Sequence, residues 1–308
     1  MQGSGRANTH CFCCLSKNIS REWGATSLFF AWRALRRGPE AVPVIRCNAC
    51  RTRYFDFTPT DEELGRLYAD YREEEYFCLR NRFEPAYTRK LNELLGGNIG
   101  MQDRRNVLIH ALKDCGIVNQ FSAVLDHGGD RGQMLLDLNA DVKVVYEISG
   151  VAPEPGVRAV LERELWESDW DLILSCHVLE HLTDPETYLS SLLTLGRAET
   201  IYFIEVPNEN FRSFSASGWQ LQKLWIDLVS KWPWLFNQLD HMSRGFDYRL
   251  HFIPPLLFFP LCEHLSFFTV QGLTALLERL GLKVLSAKVR ETGHITVVAR
   301  RIGQPIPK

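Results

Sequence analysis

Val124-Leu125-Asp126-His127-Gly128-Gly129-Asp130-Arg131-Gly132 is the stretch on which the reading of this 308-residue chain turns. An apolar run closes on a carboxylate, and Gly128, Gly129 and Gly132 follow at once. Glycine opens backbone conformations closed to other residues and lets the chain pass close to a neighbour. Such a turn marks the carboxyl end of a strand in a parallel sheet, the edge at which ligands of these sheets bind.

Working outward, strands and helices alternate from Phe121 onward, the pattern of a parallel sheet with crossover connections. Strands are expected at 123–126, 142–148, 157–160, 172–176 and 200–206, with helices over 132–139 and 184–195. A last helix over 271–280 ends at Gly281, and 283–289 and 295–300 make a hairpin about Glu291-Thr292-Gly293. Glu147 stands 21 residues beyond Asp126 at the end of the next strand, where a carboxylate accepts hydrogen bonds from both hydroxyls of a ribose. A nucleoside-containing ligand is expected; a nicotinamide cofactor stays open as one such ligand, disfavoured because the turn lacks Gly-x-Gly-x-x-Gly and the terminal hairpin does not suit a dehydrogenase.

Upstream, Cys11-Phe12-Cys13-Cys14 and Cys47-Asn48-Ala49-Cys50 supply two Cys-x2-Cys pairs 32 residues apart. Four thiolates from Cys11, Cys14, Cys47 and Cys50 can surround one structural zinc ion and close a zinc-ribbon-like head over residues 1–60. Cys13 and His10 are rival ligands, and buried free thiols are the plainer reading. Beyond the head, Thr60 and Glu63 form the two halves of a capping box. Helical spacing over 85–95 and 104–115 makes 61–120 a helical linker region, broken at Gly96-Gly97-Asn98.

Composition, with 45% hydrophobic and 23% charged residues, is that of a globular chain. Nine cysteines and no apolar run before Cys14 argue for a cytoplasmic protein without a disulfide framework. The longest apolar stretch, 252–262, is interrupted by three prolines and is too short for a membrane span. Net charge divides unevenly: residues 1–60 hold nine Lys/Arg and three Asp/Glu (9 − 3 = +6), leaving 26 − 34 = −8 for the rest. A basic head invites an anionic partner or is simply a solvated face. It lacks the aromatic-rich basic pattern of a base-stacking platform, which speaks against nucleic acid.

Val124-Leu125-Asp126-His127-Gly128-Gly129 and Tyr146-Glu147-Ile148-Ser149-Gly150 resemble the first two motifs of class I S-adenosylmethionine (SAM)-dependent methyltransferases. Asp171 to Pro185 is similar to that superfamily's fourth-strand segment, and Ile204-Glu205-Val206-Pro207 to its fifth-strand end. Glu263-His264-Leu265-Ser266-Phe267-Phe268 resembles the stretch before the last helix in methyltransferases of sugars and glycans, relatives that often begin with paired cysteines. The resemblance implies an α/β, Rossmann-like class I methyltransferase fold over 121–308, with five parallel strands and a terminal antiparallel hairpin. It also implies SAM held by Asp126, Gly128, Gly129, Asp130, Gly132, Glu147, Ile148, Cys176 and His177. Asp130 departs from the family's glycine at the middle of the turn; its carboxylate either pairs with the cofactor's positive charge or obstructs close approach.

Methyl transfer is an in-line displacement, so the protein must align an acceptor and remove its proton. Histidine suits the second task, which makes His177, His181 and His264 candidates, with a structural role the plainer reading of His177 and His181. A Glu-His pair acts as base in sugar carbon-methylating relatives, and the resemblance offers that role to Glu263 and His264. The leading expectation is methylation of a nucleotide sugar or surface glycan; an RNA methyltransferase and a catalytically silent binding protein are the alternatives. Between the fifth strand and the last helix, 208–262 forms an insertion in which Leu221, Leu224, Trp225, Leu228, Val229 and Trp232 make one apolar stripe. Core packing, a homodimer face and an acceptor lid all fit it.

Overall fold

Seven strands hydrogen-bond into one sheet in the computed structural model, which describes residues 9–71, 73–96, 98–209, 212–213, 219–250, 252–254 and 256–301. They are β1 (Phe121–His127), β2 (Ala140–Tyr146), β3 (Arg158–Ala159), β4 (Trp170–Cys176), β5 (Gly196–Pro207), β6 (Leu282–Val289) and β7 (His294–Arg301). Their order is β6-β7-β5-β4-β1-β2-β3. β1 to β5 pair in parallel, whereas β7 runs antiparallel to both β5 and β6. Strand order reverses between β1 and β4, which places a switch point at their carboxyl ends.

The central strands are apolar without alternation because a parallel sheet is covered on both faces. Val124, Leu125, Leu172, Ile173, Leu174, Phe203 and Ile204 are all fully buried. Helices α1 (Asn98–Asp114), α2 (Pro185–Leu195) and α3 (Val270–Arg279) accompany the sheet. Asp184 caps α2 by accepting from Thr187 N at 3.1 Å, and Pro185 opens it.

Two expectations about this sheet are corrected. Residues 132–139 form no crossover helix but a single 3-10 turn, Gln133–Leu135, entered from Gly132 at φ 76°. Asn139 N instead donates to Asn119 Oδ1 at 3.0 Å and its carbonyl accepts from Phe121 N, so the chain is already paired before a second helical turn could form. β2 also ends at Tyr146, two residues earlier than expected, which leaves Glu147 just past the strand with its side chain at the sheet edge.

The chain divides into two compact units: one comprises 1–11, 15–96 and 209–267, and the other 12–14, 97–208 and 268–308. The first contains a five-stranded sheet in the order Phe259–Leu261, Ile19–Thr26, Ala41–Cys47, Arg53–Phe55, Ser266–Phe267. Its outer strands follow residues 97–208 of the other unit in the chain. Gly24 pairs with Phe259 in parallel, and Arg53 with Phe267 in antiparallel. Phe55 stacks on Phe259 at 5.4 Å and meets Phe267 edge-on at 6.0 Å, so aromatic packing ties these distant segments together. The expected box at Thr60 is formed: Glu63 N donates to Thr60 Oγ1 at 3.2 Å and Thr60 N to Glu63 Oε2 at 2.8 Å. The break at Gly97 lies outside the described residues.

The apolar stripe of the insertion is not one face. Helices Trp219–Val229 and Pro233–Leu250 bury Ile226, Val229 and Phe236 against Trp23 and Phe258, while Leu221, Leu224, Leu228 and Trp232 stay exposed. Among the described residues, no helix is long and apolar enough to cross a membrane.

Gly24 tests the composite sheet. A Cβ there would lie 2.5 Å from Phe259 O and 2.7 Å from Phe55 Cε1, both held by strand pairing. Gly24→Ala should cost about 2–3 kcal/mol in denaturant unfolding, a value set by overpacking against backbone; an unchanged midpoint would show that the strand at 259–261 does not press on Gly24.

Candidate functional site

Asp126 lies inside the sheet at the end of β1 with no exposed surface, and neither carboxylate oxygen has a hydrogen-bond partner. Burial pushes its carboxyl up to about 7; Glu147, Glu205 and Asp130 add to the rise, against a pull down from Arg104. An unpaired acid buried beneath a turn is costly in the protein alone, and is the feature a bound cation or donor would relieve.

The three glycines are each demanded by what packs against the turn. A Cβ on Gly129 would fall 2.2 Å from the Asp126 side chain. Gly128 and Gly132 adopt φ 76°, with Val178 and Val157 less than 3 Å from where a Cβ would stand. Asp130 also takes a left-handed conformation, φ 53°, which aspartate tolerates better than most residues. Its backbone N–H donates to Glu147 Oε2 at 3.1 Å, and Ser149 N donates to Glu147 Oε1 at 3.0 Å. Each oxygen keeps a second lone pair. Gln133 Nε2 approaches the Asp130 carboxylate at 3.4 Å, drawing that side chain toward the 3-10 turn. Beside Glu147, Ile148 is 87% exposed, an apolar side chain standing at the sheet edge.

Cys176 ends β4 and is buried, and burial raises its thiol far above the ordinary range, so it is inert as a nucleophile. His177 follows in a left-handed conformation, φ 57°, with its N–H bonded to Glu205 O at 2.8 Å. Its Nδ1 lies 3.1 Å from Glu180 Oε1 and its Nε2 3.2 Å from Glu205 Oε1. Arg104, from α1, donates to Glu205 Oε1 through Nε at 2.7 Å. Burial would raise the Glu205 carboxyl, but Arg104 and His177 bring it down to about 2. Burial and the charge of His177 lower His294, at the start of β7, to about 4. A further buried chain runs from Ser175 Oγ to the Tyr188 hydroxyl (3.0 Å) and on to His127 Nδ1 (2.9 Å).

Glu263 and His264 belong to the first unit, where adjacency in sequence sends their side chains to different partners. Glu263 is buried, accepting from Arg80 Nη1 at 2.8 Å and from the Tyr76 hydroxyl. His264 Nδ1 lies 2.8 Å from Glu209 Oε2. Glu209, rather than Glu263, is therefore the carboxylate at that ring nitrogen.

Cys11, Cys14, Cys47 and Cys50 bring four sulfur atoms within 4.8 Å of one another. Cys11 Sγ and Cys50 Sγ are 3.6 Å apart, and Cys50 N points to Cys47 Sγ at 3.4 Å. Cys13 is not part of the group, and His10 is exposed with Nδ1 3.1 Å from Thr9 Oγ1. The hydrogen bond to Cys11, then burial, push the Cys50 thiol up, so a metal would have to displace its proton.

Arg104, Glu180, Tyr188 and His294 are absent from the sequence reading. Glu180 lies inside the segment 171–185, three residues after His177, and could have been found there. Nothing in the sequence distinguishes Arg104 from other charges on its helix, or His294 from a hairpin residue.

A family model described as a methyltransferase domain matches residues 101–287, well over half of the chain. The chain belongs to this family, the class I SAM-dependent methyltransferases. Among solved structures it is similar to magnesium protoporphyrin IX methyltransferase from Synechocystis PCC 6803 with bound SAH, at 13% identity and TM-score 0.38, over 66% of this chain and 84% of that one. It is also similar to a chain of the complex between the Haloferax volcanii Trm112 methyltransferase activator and a putative methyltransferase, at 11% identity and TM-score 0.39, over 66% and 92%. Human N-acetylserotonin methyltransferase in complex with SAM is similar at 14% identity and TM-score 0.36; the chain spans 59% of its length, with 74% of this chain covered. No curated protein matches the chain.

The buried acid gives a pH prediction. With a folded pKa of about 7 against an unfolded value near ~4, Asp126 is protonated in the native state and costs stability as it ionises. Stability from this group is full below about pH 4 and is lost as pH rises through about 7. Asp126→Asn removes the titration, so the stability of the variant relative to the parent should climb by a few kcal/mol across that window and level off above it. Urea melts at several pH values measure the difference; a constant gap would show that the carboxyl is not held up.

Proposed function

We propose that the chain methylates a hydroxyl or carbon of a sugar, carried as a nucleotide sugar or a glycan, with SAM seated on β1 and β2. The observation that carries the cofactor half is the pair Asp126 and Glu147: a buried acid without a partner, and a carboxylate at the sheet edge with a lone pair left on each oxygen. Glu147 would accept the ribose hydroxyls, Ile148 would cover the adenine ring, and Gly128 to Gly132 would line the approach. Asp130, Cys176 and His177 complete the set of residues assigned to the cofactor's surroundings. When bound, SAM supplies an electrophilic methyl group on a sulfonium.

The acceptor half rests on the Glu263-His264 segment and the cysteine-rich head, both features of sugar methyltransferases by resemblance. His264 is assigned as general base. Glu209 at Nδ1 would hold the ring so that Nε2 takes the acceptor proton, a carboxylate-histidine arrangement suited to base catalysis near neutral pH. Glu263 supports that residue indirectly, by anchoring its backbone through Arg80 and Tyr76. Zinc on Cys11, Cys14, Cys47 and Cys50 would be structural, since four thiolates fill a tetrahedral ion and leave no position for chemistry.

Two experiments test this reading. Titration calorimetry with SAM should show binding that Glu147→Ala weakens by at least about tenfold, a loss of about 1.4 kcal/mol. Methyl transfer from labelled SAM to a panel of nucleotide sugars should then fall roughly 100-fold or more in His264→Ala with cofactor affinity unchanged; full activity in that variant removes His264 from the chemistry, and transfer only to RNA removes the sugar. Separately, zinc chelation should lower the thermal midpoint of the parent chain but not that of Cys50→Ser, because in a structural site metal binding is folding energy.

A further inference from the structure

The edge of the sheet that carries Asp126 and Glu147 also brings together His177 after β4, already placed beside the cofactor, and two side chains that neither cofactor binding nor the base absorbs: Glu205 near the end of β5 and His294 opening β7. One ligand atom from each lies within 4.8 Å of the other two. His177 Nε2 is 3.2 Å and His294 Nδ1 3.8 Å from Glu205 Oε1, and the two rings stand nearly perpendicular with centroids 4.5 Å apart.

In hydrogen-bonding terms the cluster is unfinished. His294 Nδ1 and Glu205 Oε2 are buried atoms with no hydrogen-bond partner, and His177 Nε2 has Glu205 Oε1 at 3.2 Å as its one polar neighbour in the cluster. Leaving a buried polar atom unsatisfied is costly, and two of them in one small cluster of potential ligands is a concentration that packing alone does not call for. Spacing supplies the reason. Ligands about 2.0–2.2 Å from a tetrahedral zinc ion lie roughly 3.3–3.6 Å from each other, the range these atoms straddle.

The surroundings point the same way. Glu180 Oε1 sits 3.1 Å from the other ring nitrogen of His177, the carboxylate-histidine contact that fixes a metal ligand's tautomer and leaves Nε2 with its lone pair. β5 and β7 are in register, Glu205 opposite Thr296 and Pro207 opposite His294, so strand pairing holds two of the three ligands. The third is held by the bond from its own N–H to Glu205 O.

We propose that His177, Glu205 and His294 form a binding site for a divalent transition metal ion of the zinc type, separate from the four cysteines. Two imidazoles and one carboxylate suit zinc and its neighbours better than magnesium or calcium, which prefer all-oxygen sets. Arg104 also holds Glu205 Oε1, so the ion shares the carboxylate with a guanidinium, and affinity is lower than that of a site without the nearby cation. Three protein ligands leave coordination positions open, and at this edge of the sheet they would take an oxygen of the acceptor. That role rests on the methyl-transfer reading above, whereas ion binding does not.

The full chain, stripped of metal and titrated with cobalt(II), tests the site. Thiolate sites give intense near-ultraviolet charge-transfer bands, and a two-histidine, one-carboxylate site gives only weak visible bands. The parent should take up about two equivalents, the second without added thiolate absorption, and His294→Gln should take up about one. Uptake of only the thiolate-type equivalent by the parent overturns the proposal even if the variant fails to fold, as does equal uptake by parent and variant. SAM calorimetry on the cobalt-loaded parent separates the two readings: cofactor binding without a second cobalt site sinks this proposal alone, and a second cobalt site without cofactor binding sinks the other.

Discussion

A negative charge with no exposed surface at the end of a central strand constrains everything around it. Glu205 is ionised inside the sheet, and it is tolerable there because Arg104 reaches it from α1. Removing one partner of such a pair leaves an uncompensated buried charge, so helix and strand must keep their relative placement. The same carboxylate collects His177 and His294, while its backbone carbonyl accepts the His177 N–H and holds that residue in a left-handed conformation. Polar groups at the carboxyl edge of the sheet are thus organised about one residue of β5.

The glycine-rich turn acquires a different meaning beside this cluster. Its glycines are required by the turn's own closeness to Asp126, Val178 and Val157, so the pattern would be needed whether or not a ligand passed over it. What the turn covers is more telling than the turn. Asp126 sits beneath it without a partner, and Glu147 is held at the edge by two backbone donors, one of them from the turn. Asp130, which stands where the family has glycine, is accommodated by a conformation aspartate can adopt and contributes that donor.

In the first unit, the sheet is assembled from segments separated in the chain by residues 97–208 of the other unit. Phe259 and Phe267 pack on Phe55 because the strands at 259–261 and 266–267 flank strands from the head. Between those two outer strands, Glu263 turns inward to Arg80 and Tyr76 while His264 meets Glu209. A short link between two strands with different neighbours gives consecutive residues different environments, and this is why Glu263 and His264 do not form a pair.

Local chemistry made much of the molecule legible in the sequence. Apolar runs such as 172–174 announce strands buried on both faces, Thr60 and Glu63 announce a helix start, and Asp126, Glu147 and the two cysteine pairs announce their positions through spacing. These features depend on residues a few positions apart, whose relations survive in any fold. The short turn at 133–135, the division of the 221–232 stripe into a buried and an exposed face, the partner of His264 and the grouping of His177 with Glu205 and His294 were decided only by tertiary structure. Each is a contact between segments far apart in the chain, set by strand register and by the need to neutralise or pair what folding buries, and periodicity carries no trace of either.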